Sequence, residues 1–304
     1  MMQNILEEIR REVAPLLSRG RTAGYIPQLA EVPLTKFALV VHPLNGDPVG
    51  VGDQEEPFSI QSISKLFALV LAMQAGVDSL WRRIGREPSG TAFNSLVQLE
   101  SEAGIPRNPF INAGALVVTD ILISRFGDAR RAMLDFVRDL CGNAAVDYDP
   151  LVAASEESSG HRNAALAHFI KSFGNLHNPV VEVLETYYSF CSLSMSCRDL
   201  AAATLFLANM GIHRESGRGA VFSPSQSKYV NSLMMVCGTY DAAGDFAYRV
   251  GLPAKSGVGG GIAAVMPGQF SVGVWSPGLD RYHNSLAGSR ALELLTTKSG
   301  ISIF

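Results

Sequence analysis

Phe58-Ser59-Ile60-Gln61-Ser62-Ile63-Ser64-Lys65 runs without a break into the apolar stretch Leu66-Phe67-Ala68-Leu69-Val70-Leu71-Ala72-Met73. Read as a helix, it places Ser62 and Lys65 on one face, one turn apart. At the first turn of such a helix, backbone N–H groups and the positive end of the helix dipole point toward the serine. A free serine hydroxyl is a poor nucleophile. A lysine held beside it, and kept neutral by burial, can take its proton as the hydroxyl attacks a carbonyl. The bare spacing also fits a serine N-cap followed by a surface lysine, so the pair needs a second element.

That element is Lys255-Ser256-Gly257, which follows Phe246-Ala247-Tyr248-Arg249-Val250 and precedes Val258-Gly259-Gly260-Gly261-Ile262. Enzymes of the β-lactamase-like fold combine Ser-x-x-Lys with a Lys-Thr/Ser-Gly element on an edge strand facing the nucleophile across a cleft. Small residues there let the backbone approach a substrate, and a backbone N–H can join the serine's own as an oxyanion hole. By itself the segment reads equally as a glycine-rich hairpin turn. The order, serine-lysine early and lysine-serine-glycine late, is what points to acyl transfer.

The chain has 304 residues, enough for one large or two closely packed domains with a sizeable core. Its 47% hydrophobic and 17% charged composition is that of a globular protein. A net charge of −3 and the lack of a basic run argue against a nucleic-acid partner. The acidic, helical amino terminus does not read as a signal peptide, and no apolar run approaches the roughly 20 residues of a membrane span. A soluble, cytoplasmic protein with no membrane partner is expected. Cys141, Cys191, Cys197 and Cys237 show no metal-ligand or redox spacing and read as small apolar residues. The six histidines match no metal site, and Gly257–Gly261 is not followed by the helix that a dinucleotide fingerprint requires. No metal and no cofactor are expected.

Residues 3–19 carry Ile5, Ile9, Val13 and Leu16 at helical spacing. Thr35–Pro43 alternates as a strand and breaks at Asn45-Gly46-Asp47, a hairpin signal, before Val49-Gly50-Val51. Residues 75–225 are helical in pattern. Phe246–Val250, Gly261–Met266 and Phe270–Trp275 read as strands, and Ser285–Ser299 as a closing helix. The economical assembly is an α+β fold: one antiparallel sheet flanked by the terminal helices, with a helical domain inserted. Residues 1–66 and 226–304 would form the sheet domain and 67–225 the insertion, with the active-site cleft between them.

The chain closely resembles the serine-dependent glutaminases of the β-lactamase-like fold. Matching segments begin with Gly24–Ala30, Phe58–Lys65, Glu87–Gly90, Phe93-Asn94-Ser95 and Asn108–Ala115. They continue through Ser155-Glu156, Arg162-Asn163, Tyr187, Cys197–Ala201, Cys237–Asp241, Lys255–Ile262 and Ser276–Asp280, with Asn284-Ser285 just after. They run in family order over nearly the whole chain. The resemblance implies a cofactor-free amidohydrolase that converts L-glutamine to L-glutamate and ammonia through a glutamyl-serine intermediate. Ser62 would be the nucleophile and Lys65 the general base. Tyr25, Asn112, Glu156, Asn163, Tyr187, Tyr240 and Val258 would contact glutamine together with Ser62.

That set suits a zwitterion. Glu156 supplies an anion for the ammonium. Asn112, Asn163 and the Tyr25 phenol can donate to the carboxylate without burying another full charge. Tyr187 and Tyr240 can sit by the reacting amide, where one of them, Tyr240 being favoured, relays a proton to departing ammonia. The resemblance also implies a homo-oligomer, a tetramer or a dimer. Two departures stand in place of residues usual in the family, Phe110 and His283. Ser158-Ser159-Gly160-His161 ahead of Arg162-Asn163 differs as well. A penicillin-recognising hydrolase shares both lysine elements, but no Ser-Asp-Asn triplet is present and Tyr187-Tyr188-Ser189 misses a Tyr-x-Asn pattern. A non-catalytic glutamine sensor would keep the pocket without needing Ser62, Lys65 and Tyr240 intact.

Overall fold

Ala38–Pro43 (β1) is buried on both faces along almost its whole length, so the sheet containing it must be covered on both sides. The computed structural model describes residues 2–76, 80–90, 94–213 and 220–304. Phe93 of the resemblance therefore lies outside the described residues.

After β1 come β2 (Val49–Gly52), β3 (Phe58–Ser59), β4 (Asp147–Tyr148), β5 (Leu193–Met195), β6 (Ala254–Ser256), β7 (Gly261–Met266) and β8 (Phe270–Trp275). The main sheet has the order β2-β1-β8-β7-β6, antiparallel throughout. Its hairpins join β1 to β2 across the Asn45-Gly46-Asp47 turn, β6 to β7, and β7 to β8. β6, which carries Lys255 and Ser256, is an edge strand, as expected. Phe246–Val250 is not a strand: it ends the helix Ala243–Val250. Phe246 and Val250, four apart, are buried while Tyr248 between them is 91% exposed, so the same residues satisfy a helical period as well as an alternating one. The third late strand is instead the three-residue β6, too short to announce itself by alternation.

The terminal helices Met2–Val13 and Leu286–Ser299 pack against each other and cover one face of the sheet. Leu6, Ile9 and Val13 meet Leu39, Val41, Val272, Leu292 and Leu295 in one apolar cluster. The opposite face is covered by the helix Cys197–Ala208. Gly273 makes that approach possible, because a Cβ there would lie 2.4 Å from the Cys197 carbonyl oxygen. Ser271 Oγ seals the contact by donating to the Ala201 carbonyl at 2.6 Å. Beyond this helix lies the larger core, built on Ser64–Gln74, Asn112–Phe126, Ala129–Cys141 and Val180–Cys191. Ser64–Gln74 is buried from Ser64 to Ala72, as an apolar helix without a polar face must be. A second small sheet, β3-β5-β4, anchors the chain just before Ser62 and has no signature in the sequence.

Candidate active site

Ser62 lies in the 3₁₀ turn Gln61–Ile63, which feeds the Ser64–Gln74 helix. The turn begins with Gln61 at φ 51°, a left-handed conformation that costs a non-glycine residue on the order of 1–3 kcal/mol and marks sites where the surroundings over-determine the backbone. The surroundings here are explicit. Ile60 N–H donates to the Leu193 carbonyl at 2.9 Å, and Gln61 Nε2 donates to Ser59 Oγ at 3.0 Å, which donates in turn to the Cys191 carbonyl. The loop after β6 closes on the other side: a Cβ on Gly257 would lie 2.4 Å from the Ile60 carbonyl oxygen and 3.3 Å from the Ser62 nitrogen. Trp275, stacked on Phe58 with ring centroids 4.9 Å apart, fixes that loop through Nε1–H to the Gly259 carbonyl at 3.0 Å. Among the described residues neither the Ser62 nor the Val258 N–H donates to a protein acceptor, so both are open to a ligand.

Lys65 is 2% exposed. Its Nζ donates to Asn112 Oδ1 at 2.6 Å and to the Phe110 carbonyl at 3.3 Å. Both acceptors are placed by an Asn108 turn, whose side-chain oxygen accepts from the Phe110 and Ile111 N–H groups ahead of the helix Asn112–Phe126. Burial without a direct carboxylate partner pulls the Lys65 amine down to a pKa of about 8, offset in part by the more distant Cys191 and Glu156. The Ser62 hydroxyl is hydrogen-bonded to the Tyr240 phenol, which also donates to the Ser256 carbonyl at 3.3 Å. Ser62 and Lys65 each have their own hydrogen-bond partner in this state, Tyr240 and Asn112 respectively.

Four helices bring in Glu156, Asn112, Asn163 and Tyr187, and a turn before Pro27–Ala30 brings in Tyr25. Glu156 stands on Pro150–Ser159, a helix capped by Asp149 and begun by a proline at its first position. It is 7% exposed. Burial raises its pKa to about 7, against the pull of a hydrogen bond from Gln61 and the more distant Lys65. Asn112 Nδ2 donates to Asn163 Oδ1 at 2.9 Å, from the helix His161–Ser172. Asn112 therefore spends its oxygen on Lys65 and one N–H on Asn163, leaving a single N–H for a ligand. Tyr187, from Val180–Cys191, donates to Asn112 Oδ1 at 3.5 Å. Tyr25 is half-exposed at the rim, edge-on to His283 with ring centroids 6.5 Å apart. Burial pushes the Tyr187 and Tyr240 phenols well up, so both stand protonated as donors at neutral pH.

One cavity of about 640 Å³ joins these groups. Its walls include Tyr25, Ser62, Asn112, Glu156, Asn163, Tyr187 and Val258. Lys65 and Tyr240 do not line it; each reaches it through a hydrogen-bonded neighbour, Asn112 and Ser62 respectively. Gln61 is the residue that sequence reasoning passed over. It lines the cavity, bonds Glu156 and sits next to the nucleophile, yet its role depends on a positive φ that no residue type announces. Arg162, Asp241 and Arg281, also unforeseen, line the same cavity.

The sequence model of the family described as Glutaminase matches residues 20–304. The chain belongs to the glutaminase family. A glutaminase from Ralstonia nicotianae is 60% identical over 302 residues, 99% of each chain. One from Vibrio vulnificus is 54% identical over 303 residues, again 99% of each. Among solved structures, a probable glutaminase from Bacillus subtilis complexed with 6-diazo-5-oxo-L-norleucine superposes with a TM-score of 0.87 at 32% identity. That superposition covers 100% of this chain and 96% of the other. The fold is the β-lactamase-like one, and the enzyme is an amidohydrolase of the L-glutamine side chain. Among the described residues no helix is long and apolar enough to cross a membrane.

Proposed function

We propose that the glutaminase reaction of this chain runs through Ser62, with Lys65 as base and Glu156 as the ammonium site. The observation that carries this is one cavity walled by Ser62, Asn112 and the buried Glu156, with the buried Lys65 amine hydrogen-bonded behind Asn112 at 2.6 Å and its pKa depressed. Desolvation shifts both Lys65 and Glu156 toward their neutral forms, and strongly perturbed titratable groups at a cleft mark functional sites. A neutral Lys65 amine has two N–H bonds, which Asn112 and the Phe110 carbonyl occupy, and one lone pair, which takes the Ser62 proton. Ser62 Oγ then bonds to the side-chain carbonyl carbon of glutamine. The Ser62 and Val258 N–H groups receive the oxyanion. The carbon–nitrogen bond breaks, nitrogen takes a proton relayed by Tyr240, and ammonia leaves. Water, deprotonated again by Lys65, cleaves the glutamyl ester.

Glu156 gives the α-ammonium its counter-charge. Asn163, the free N–H of Asn112 and the Tyr25 phenol receive the α-carboxylate, and Tyr187 closes the cavity beside the amide. Residues 1–66 with 226–304, and 67–225, are read as sheet and helical domains meeting at this cleft. A homotetramer or dimer and a cytoplasmic location complete the reading; the four free cysteines, three of them buried, are consistent with a reducing compartment.

The test is substrate choice. Glu156→Gln removes the charge and should cost roughly 30- to 150-fold in kcat/KM, the scale of one lost charge-assisted hydrogen bond. On the wild type, N-acetylglutamine lacks the ammonium and should be a poor substrate. Asparagine, one methylene shorter, should fail because its amide cannot reach Ser62 with both charged ends anchored. Equal turnover of glutamine and N-acetylglutamine would remove Glu156 from the ammonium site.

A further inference from the structure

Lys255 is wholly buried, and among the described residues no carboxylate pairs with it. Its Nζ donates to the Gly238 carbonyl at 3.0 Å and to the Ser256 carbonyl at 2.5 Å, and lies 4.6 Å from the centroid of the Tyr240 ring. A buried amine served by two carbonyls and the faces of Tyr240 and Phe110 is a costly feature that an apolar side chain of similar volume would avoid. Two of its contacts, the Gly238 carbonyl and the Tyr240 ring, fall on one segment, Gly238-Thr239-Tyr240; the others are the Ser256 carbonyl and the Phe110 ring, 5.8 Å away. The Gly238 carbonyl also accepts from the Ser256 N–H at 3.1 Å, and the Thr239 carbonyl accepts from Asn284 Nδ2 at 3.1 Å. Gly238 itself is wedged so closely that a Cβ would lie 1.8 Å from the Ala254 carbonyl oxygen. The segment delivers Tyr240 at φ 56°, left-handed for a residue that rarely adopts it. Such a conformation persists only where its neighbours impose it.

We propose that Lys255 is the positioning residue for the Tyr240 phenol: it pins Gly238 and the ring of Tyr240 so that the hydroxyl meets Ser62 while its other bond goes to Ser256. The inference rests on the proton relay assigned to Tyr240. In that step the carbon–nitrogen bond of the tetrahedral intermediate breaks and its electron pair goes to nitrogen. Nitrogen takes the Tyr240 proton, and the phenol is resupplied with the proton that Lys65 took from Ser62. Burial and the nearby Lys65 both hold the Lys255 pKa well below that of an exposed lysine, which fits a donor to carbonyls rather than a counter-ion for substrate.

Two substrates separate the possibilities: glutamine, whose leaving nitrogen must be protonated, and the γ-p-nitrophenyl ester of glutamate, whose leaving phenolate need not be. kcat/KM is measured on both for wild type, Lys255→Met, Tyr240→Phe and the double variant. Lys255→Met should lose roughly ten- to hundredfold on glutamine, up to the lower end of what proton transfer contributes because the phenol is displaced rather than removed, and less than threefold on the ester. The double variant should be no slower on glutamine than Tyr240→Phe. If Tyr240→Phe loses equally on both substrates, the relay itself is wrong and the inference falls with it. If Tyr240→Phe discriminates between the substrates while Lys255→Met loses equally on both, or the two losses multiply, the relay stands and Lys255 is merely structural. Should Lys255→Met fail to fold, Lys255→Gln, which keeps a donor, must show the same substrate split at smaller amplitude; equal losses overturn the proposal.

Discussion

Lys65 shows how one residue's environment sets the chemistry. A lysine of ordinary pKa is protonated and useless as a base at neutral pH; burial brings this one to about 8. Glu156 is raised to about 7 by the same cause, so its anionic form also grows as pH rises. Both competent forms, neutral amine and carboxylate, are favoured on the alkaline side. The kcat/KM profile, which reports the free enzyme, should therefore climb between about pH 7 and pH 8. A flat profile across that interval would contradict the assignment. Lys65→Arg should leave activity at least several hundred-fold down, the scale of a missing general base, because a guanidinium does not give up its proton. At this scale the sequence was informative where residue type carries the chemistry. Ser62 and Lys65 stand out by their spacing, whereas Glu156 enters only through the family resemblance. Gln61 and Lys255 do not announce their roles, because what matters is a positive φ in one case and a convergence on Gly238 and Tyr240 in the other.

At the scale of elements, the site depends on how closely β6 and its following loop approach the Ser62 turn. Gly257→Ala would place a methyl 2.4 Å from the Ile60 carbonyl oxygen, a backbone atom that cannot swing aside. The expected result is displacement of the Val258 N–H and a loss of about 100-fold in kcat/KM, the scale of one oxyanion-hole donor. Turnover within threefold of wild type would show that the loop is not part of the oxyanion hole. The same region shows why elements were unevenly legible. Gly261–Met266 and Phe270–Trp275 are long buried runs and stand out as strands. β3, β4 and β5 hold only two or three residues each and exist through tertiary pairing alone. In Phe246–Val250, alternation and helical spacing coincide, and the left-handed Gly251 that ends the helix was the one available cue.

Across the whole molecule, the helices that carry the site are tied together by a buried ionic clamp. Asp120, in Asn112–Phe126, accepts from Arg83 Nη2 at 2.6 Å, from the His177 N–H at 2.9 Å and from the Asn178 N–H at 2.7 Å. Burial alone would raise its pKa, but bonds from Asn178, Arg83 and His177 hold it below the usual carboxylate value. A folded pKa below the unfolded one contributes stability above the unfolded value and loses it as pH falls through the folded one. Asp120→Asn should therefore cost about 3–5 kcal/mol near pH 7 by stranding the largely buried Arg83, with the gap to wild type narrowing in acid. Thermal unfolding at two pH values measures it; an unchanged melting temperature near pH 7 would show that the clamp is dispensable. The claim on which everything else depends is covalent catalysis at Ser62. The direct measurement is intact-mass and peptide analysis after exposure to 6-diazo-5-oxo-L-norleucine, run on wild type and Ser62→Ala beside an ammonia-release assay. The account predicts one adduct per chain on Ser62, and neither adduct nor turnover in folded Ser62→Ala. Labelling at Cys191 or another cysteine, with activity surviving in Ser62→Ala, would contradict it.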